Sequence, residues 1–421
     1  MRAHTASAVW HPFAQHALQA HFPRVVNASG ACLHTDDGRR IIDAISSWWV
    51  ITHGHRHPAI TAAIQAQAET LDQVIFAEFT HEPAERLAAQ LVSIAPPGLE
   101  HVFYSDSGSI CVEVALKMAL GYWHHTDRPR HRIVVLEHSY HGDTFGAMSV
   151  GARGVFTQPC EPLLFEVSCI PFPDAGVEQA TFDALTALCE KHDVAALLVE
   201  PLVLGAGGMR MYPPWVLTRL REICDRYETL LIADEVMTGW GRTGARFACE
   251  QAGVAPDIVC YSKGLTGGAL PLAATLCTAQ IFAAHFSTDR RRTFFHSSSF
   301  TANPLACAAA LANLTVWDTE PVQARIDALC RLQSRHLKSL AAVPGVTNLR
   351  QTGTIAALDL EVAQAGYLAE IGPRLKASFT AANILLRPLG NTLYVMPPYC
   401  VTPEDLDQVY SAIEEAIRAT R

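Results

Sequence analysis

Two residues in this chain could do chemistry together, Asp234 and Lys263. Asp234 closes the apolar run Leu230-Leu-Ile-Ala233 within LLIADEVMTGWGRTG. A short apolar run of this kind, bounded by turn residues, predicts a strand buried on both faces of a parallel sheet. A carboxylate at the carboxyl end of such a strand sits where open α/β sheets bind ligands. Buried, it is costly unless a cation meets it. Lys263 follows 29 residues later in APDIVCYSKGLTGG, just beyond a second apolar strand predicted over Asp257–Tyr261. Glycines flank both residues and let a ligand approach the backbone. Singly, an acid in an ordinary ion pair and a solvated loop lysine are the commoner readings.

Together the pair asks for a cofactor that needs both an acid and an amine, and pyridoxal phosphate is such a cofactor. Its aldehyde condenses with a lysine, and a carboxylate keeps the ring nitrogen protonated so that the ring accepts electrons. A phosphate cradle is also readable. The strand predicted over His101–Tyr104 runs into Ser105-Asp-Ser-Gly-Ser109, then into a helix from about Ile110 to Trp123. Backbone N–H groups and the helix dipole at such a turn attract an anion, although Ser107 or Ser109 would equally serve as an ordinary N-cap. The strand Arg132–Leu136 leads to Ser139-Tyr140-His141-Gly142-Asp143, where an aromatic ring could stack on a planar one.

The elements that must position these residues alternate. Further strands are predicted at Val194–Val199, ending at Glu200-Pro201, and a helix from Pro213/Pro214 to about Arg226. Strand–helix alternation is the mark of a parallel α/β sheet. Within the helix after the cradle, Ile110, Val114 and Met118 recur on one face, and Glu113 and Lys117 have the spacing of an ion pair. Gly205-Ala-Gly-Gly208 does not match a dinucleotide-binding turn. Residues 1–30 read as irregular, with an aromatic knot at Trp10–Phe13. Residues 31–45 read as two strands about Asp37-Gly38. Ser46-Ser47-Trp48-Trp49 reads as strand, with Trp48 as packing and at least one tryptophan on a ligand pocket. His53, His55 and His57 suggest a metal cluster, but the intervening glycine and following proline favour a turn, and no metal is expected. Pro58–Gln73 has helical spacing, and an alanine-rich helix after Asn303-Pro304 runs to about Trp317.

Beyond it lie a charged helix at about 320–341 and short strands at Thr354–Leu360, Leu385–Leu386 and Thr392–Met396. The last helix has Thr402 as N-cap, Pro403 at its first position and Leu406, Val409, Ile413 and Ile417 on its apolar face. This predicts an N-terminal segment over 1–52, a large domain over 53–317 and a smaller α+β domain over 318–421, joined by the N-terminal strands.

At 421 residues and 49% hydrophobic, the chain can bury a substantial core. Its net charge of −9 and lack of a basic cluster argue against nucleic acid. Twelve cysteines without C-x-x-C spacing fit reduced thiols in a cytoplasm. No secretory leader or bilayer-length apolar run is read, and no membrane partner is expected.

LLIADEVMTGWGRTG, the SKG around Lys263 and the SDSGS turn resemble the class III aminotransferases, pyridoxal-phosphate enzymes of fold type I. The resemblance covers nearly the whole chain. WHPF, SSWW, SYHGDTFGAMSV, GAGGMRMY, and RPLG with LYVMPPY resemble the branch of that family serving biotin biosynthesis. It implies an α/β fold: a large domain on a mainly parallel seven-stranded sheet, plus a small α+β domain from both termini. It implies catalytic roles for Lys263 as Schiff-base lysine and proton carrier, Asp234 on the pyridine nitrogen, and Tyr140 stacked on the ring. Ser107, Gly108 and Ser109 would hold the phosphate, with Ser299 reaching in from the second subunit of a homodimer whose active sites lie at the interface.

On the substrate side the resemblance implies Arg387 on the carboxylate of a long keto acid, Trp49 as pocket wall and Asp143 facing the substrate amine or donor. Phe13, Ser298 and Arg242 would complete the substrate site. S-adenosylmethionine is the expected donor, supported by SSWW. Phe13, however, stands where many such members carry tyrosine, and some lysine-dependent members carry phenylalanine, so lysine is the alternative. Other readings are an ω-amino acid or diamine aminotransferase, an aminomutase, and a non-enzymatic cofactor-binding regulator. The last would lack the full set of Lys263, Asp234 and Arg387 or carry a DNA-binding module.

Overall fold

In the computed structural model the apolar runs form one seven-stranded sheet. The structure describes residues 8–19 and 21–420; the first seven residues of the expected irregular N-terminal segment lie outside the described residues. In chain order the strands are β1 (Leu99–Ser105), β2 (Arg132–Leu136), β3 (Ser168–Ile170), β4 (Val194–Val199), β5 (Leu230–Asp234), β6 (Ile258–Tyr261) and β7 (Ala273–Thr278). Their spatial order is β1-β7-β6-β5-β4-β2-β3. Pairing is parallel from β6 through β3. Only β7 runs against its neighbours, β6 and β1. Every residue of β4 and β5 is buried, as unbroken apolar runs require.

Register explains how the chemistry converges. Asp234 on β5 pairs with Cys260 on β6. Lys263 lies three residues further on, so acid and lysine leave the sheet from the same edge. Helix Gly108–His125 packs Cys111, Val114, Ala115 and Met118 on one face of the sheet, against Val135, Leu198 and Ile232. The other face meets Val216, Leu217 and Leu220 of helix Pro214–Arg226.

The N- and C-terminal parts interlock. Strands Val25–Ser29, Cys32–Thr35 and Arg40–Asp43 form an antiparallel ribbon, and Ile384–Leu385 adds to it in parallel beside Arg40–Asp43. Val346–Thr352, Ile355–Leu360 and Thr392–Val395 form a separate antiparallel sheet. Helices Val322–Leu340 and Pro403–Ala419 accompany them, the latter capped by Thr402, whose hydroxyl accepts from Asp405 N at 3.1 Å. Ile42, Leu358, Leu406 and Ile413 share one continuous core with Leu231 and Val259 of the large sheet.

Three expectations are corrected. Val25–Ser29 is a strand, although its exposed, polar-mixed residues give no alternation to read. Ser46–Trp49 is not a strand but a tight turn with non-helical dihedrals, Ser46, Ser47 and Trp49 all standing at positive φ. Glu113 and Lys117 do not pair. The Glu113 carboxylate accepts from Thr144 Oγ1 (2.6 Å) and Gly146 N (2.8 Å), while Lys117 donates to Phe295 O (2.9 Å). The three clustered histidines point to three different partners: His53 to Asn313, His55 to Asp43 and His57 to Glu320. Among the described residues no helix is long and apolar enough to cross a membrane.

Candidate active site

A cavity of about 350 Å³ opens where β4, β5 and β6 end. Ten of the predicted site residues line it: Phe13, Trp49, Ser107, Gly108, Ser109, Tyr140, Asp143, Asp234, Lys263 and Arg387. Trp48, expected only to pack, lines it as well.

One part of the lining suits an anion. The Ser107 hydroxyl caps helix Gly108–His125, accepting from Ile110 N at 3.4 Å. That leaves other first-turn amides of the helix without intrahelical partners. A Cβ on Gly108 would lie 2.6 Å from Val236 Cγ1, so only glycine fits there. Ser109 Oγ accepts from Asp143 N at 3.0 Å. Gly142, at φ +130°, lies so close that a Cβ would overlap the Ser109 hydroxyl.

The acids sit behind this cradle. Asp234 Oδ2 meets His141 Nδ1 at 2.7 Å, and Oδ1 accepts from Val236 N at 3.1 Å. Both residues are buried. Glu200, at the end of β4, accepts from Tyr140 N at 3.0 Å and Gly205 N at 2.9 Å. Burial pushes its carboxyl up to about 7, with the Asp234 charge adding to the rise; the His141 charge and the two backbone N–H groups offset part of it. Burial also raises the Tyr140 hydroxyl, aided by the Asp143 charge.

Lys263 opens a 3₁₀ turn at φ +48°, a conformation costly for a residue with a side chain. Its Nζ lies 4.7 Å from the centre of the Trp49 ring. Burial lowers its pKa to about 8; the Asp234 and Glu200 charges oppose that shift, and Arg242 reinforces it. The amine is therefore neutral in a substantial fraction of molecules near neutral to mildly alkaline pH.

Trp49 is held from behind. Its indole Nε1 donates to Tyr394 Oη at 3.0 Å. The buried Asp43 carboxylate accepts from Ser47 N (2.8 Å) and Ser47 Oγ (3.0 Å) and contacts His55 Nε2 (2.8 Å). Arg387 completes the lining. Its guanidinium carbon lies 5.7 Å from the Phe13 ring centre and 5.4 Å from that of Trp48. Nη2 donates to Phe13 O at 3.3 Å, and among the described residues no carboxylate pairs with it.

Three predicted residues fall outside the lining. Arg242, expected on the substrate side, is buried behind the wall. It donates to Pro397 O (3.1 Å), Trp49 O (3.3 Å) and Ile51 O (2.9 Å), so its head is committed to backbone carbonyls. Ser298 and Ser299 lie on an outer loop, where Ser298 Oγ accepts from Phe300 N at 3.2 Å and Ser299 is exposed. His141, Glu200, Tyr367 and Tyr394 line the cavity without having been singled out for it. Glu200 carried a readable signal, an acid closing an apolar run as Asp234 does. His141 did not, because its partner is 93 residues away.

A strand-end carboxylate, a lysine just beyond the adjoining strand and a helix N-terminus around one cavity define a pyridoxal-phosphate enzyme of fold type I. The residues fit that cofactor: an acid for the ring nitrogen, an amine for the aldehyde, and a glycine-lined turn of free amides for the phosphate. The aminotransferase class-III family model matches residues 14–417, and the chain belongs to that family.

It is 50% identical over 97% of its length, and 98% of the relative's, to the adenosylmethionine-8-amino-7-oxononanoate aminotransferase of Synechococcus elongatus. A crystal structure of an enzyme of the same name from Methanocaldococcus jannaschii superposes with a TM-score of 0.93 at 32% identity, covering 98% of this chain and 97% of that one. An amine transaminase from an uncultivated Pseudomonas species, in its pyridoxal-phosphate-bound form, superposes with a TM-score of 0.90 at 32% identity, covering 98% and 99%.

Proposed function

We propose that this aminotransferase moves an amino group from S-adenosyl-L-methionine to 8-amino-7-oxononanoate, giving 7,8-diaminononanoate in biotin biosynthesis. The observation that carries the reading is Arg387. It is a cation without a carboxylate partner among the described residues, resting on two aromatic rings in the same cavity as Lys263 and Asp234. Such a group suits the carboxylate at the end of an apolar chain. Relatives with that activity in their names, alike over nearly the whole length, support it.

When bound, pyridoxal phosphate supplies an electron sink and stores the amino group between two half-reactions. Ser107, Gly108 and Ser109 would hold its phosphate, Tyr140 would cover a ring face, and Asp234 would keep a proton on the ring nitrogen. Lys263 Nζ, with its depressed pKa, would hold the cofactor's aldehyde and would serve as the base that takes and returns the substrate proton. Trp49 and Phe13 exclude water along the substrate chain, Asp143 faces the amine, and Arg387 binds the carboxylate.

A homodimer belongs to this proposal. Ser299 is exposed and outside its own cavity, on a loop that also exposes Phe295 and Phe300, as suits a segment completing a partner's site. Residues 53–317 are taken as the cofactor domain, with 1–52 and 318–421 as the smaller one. A cytoplasmic setting is inferred from twelve free cysteines.

The test is a half-reaction. The protein is loaded with pyridoxal phosphate, and S-adenosylmethionine or L-lysine is added alone while the cofactor's absorption is recorded. Loss of the resting band with S-adenosylmethionine supports the proposal. Loss with lysine alone moves the donor to lysine, the reading that Phe13 favours. If neither donor nor 7,8-diaminononanoate changes the band, the biotin-pathway reading is wrong. Light scattering of the loaded protein tests the dimer.

A further inference from the structure

Residues 363–368 form a strap in which Tyr367 alone turns inward. Its neighbour Leu368 is left 73% exposed, while the Tyr367 ring lines the active-site cavity. Hydrophobicity alone would favour the opposite choice, so something in the cavity selects the tyrosine. The ring meets Phe156 edge-on, with centroids 4.5 Å apart and planes at 69°. The hydroxyl lies 3.5 Å from Arg387 Nη2, the nitrogen that also donates to Phe13 O.

The strap is seated on the loop that carries Arg387. Gly366 N donates to Asn391 Oδ1 at 2.9 Å. Gly390 packs backbone to backbone against Gly366, and a Cβ there would overlap Gly366 O and come within 2.9 Å of Tyr367 Cα. Gly366 itself stands at φ +115°, open to glycine and strained for other residues. The glycine of RPLG thus lets the strap lie flat beside Arg387.

We propose that Tyr367 is a positioning residue for Arg387 and a specificity wall. Its hydroxyl steadies the guanidinium that takes the acceptor's carboxylate, and its ring closes that end of the cavity with Phe156. This rests on the reading of Arg387 as a carboxylate ligand. The guanidinium donates to the bound carboxylate, and a hydroxyl accepting from one of its nitrogens limits the orientations it can adopt beforehand.

The experiment separates this inference from the proposed reaction by using ligands that are not turned over. The full chain, loaded with pyridoxal phosphate, is titrated calorimetrically with nonanoate and with nonan-1-ol, which differ only in the charged head. Tyr367→Phe is expected to weaken nonanoate by about three- to tenfold, the effect of one modest hydrogen bond, and to leave nonan-1-ol unchanged. Tyr367→Leu, which also removes the wall, is expected to weaken both. Equal nonanoate affinity in wild type and Tyr367→Phe, or parallel loss of both ligands in Tyr367→Phe, overturns the inference. Failure of wild type to use 8-amino-7-oxononanoate, with the nonanoate discrimination intact, overturns only the proposed acceptor.

Discussion

His141 Nδ1 lies 2.7 Å from Asp234 Oδ2, and the two side chains are buried together beneath the cavity. The imidazole fixes one carboxylate oxygen, and Val236 N fixes the other at 3.1 Å. An acid clamped on both oxygens has one orientation in which to meet a ring nitrogen. His141→Leu removes a hydrogen bond to a charged group and is expected to weaken pyridoxal-phosphate binding by about ten- to a hundredfold. His141→Asn places a donor near the Nδ1 position and is expected to recover most of that loss. Cofactor dissociation constants from absorbance titration decide it, and equal affinity in all three proteins would remove His141 from the account.

Glu200 predicts a pH effect on stability. Burial raises its pKa from 4.5 to about 7 in the folded chain. The folded state therefore holds the proton more tightly than the unfolded state. The resulting stability is fully present below pH 4.5 and is lost as pH rises through about 7. Its size is up to about 3 kcal/mol. Glu200→Gln keeps an acceptor for the Tyr140 or Gly205 amide but does not titrate. The stability difference between wild type and Glu200→Gln is expected to shift in the variant's favour between pH 4.5 and 7. Denaturant melts across that range check it; a constant difference would show that Glu200 is not the titrating group.

Lys263 titrates in the opposite sense. Burial lowers its pKa from 10.5 to about 8, and the Asp234 charge holds it from falling further. The neutral amine is the nucleophile, so capture of pyridoxal phosphate by the cofactor-free protein is expected to accelerate with pH, with a midpoint near 8. Asp234→Asn removes the opposing charge, and the midpoint is expected to move lower. Stopped-flow capture rates give both profiles. An unmoved midpoint in Asp234→Asn would mean that the two groups do not interact.

Asp234 and Lys263 were legible because their signal is local: an apolar run, a strand end, a glycine-rich turn. Five of the seven sheet strands are legible for the same reason, whereas Ser168–Ile170 and Ala273–Thr278 are not read from the residues, and the number seven is what the family resemblance implies. Ser46–Trp49 was misread because adjacent tryptophans favour a strand, whereas Asp43, His55 and Arg242 impose a turn from outside it. Arg242 sits in the same glycine-rich stretch as Asp234, but nothing local says that its head faces carbonyls from residues 49, 51 and 397 rather than the cavity. Tyr367 lay in a stretch with no periodicity, and its place depends on Gly390, 23 residues on.

That turn supports the last prediction. Ser46, Ser47 and Trp49 all stand at positive φ, at a cost of about 1–3 kcal/mol each for residues with side chains. Such a turn persists only if its surroundings hold it, and the fully buried Asp43 is the hub, accepting from Ile45 N, Ser47 N and Ser47 Oγ. His55 Nε2, at 2.8 Å, is the remaining partner of the carboxylate. His55→Ala leaves part of a buried carboxylate unsatisfied and is expected to destabilise the protein by about 1–3 kcal/mol. Because the turn carries Trp48 to Arg387 and Trp49 to Lys263, the acceptor KM is expected to rise as well. His55→Gln, which keeps a donor, is expected to restore both in part. If His55→Ala keeps the wild-type melting point and acceptor KM, the turn is held by Arg242 and the Ser46 hydroxyl on Met396 O without the Asp43–His55 contact.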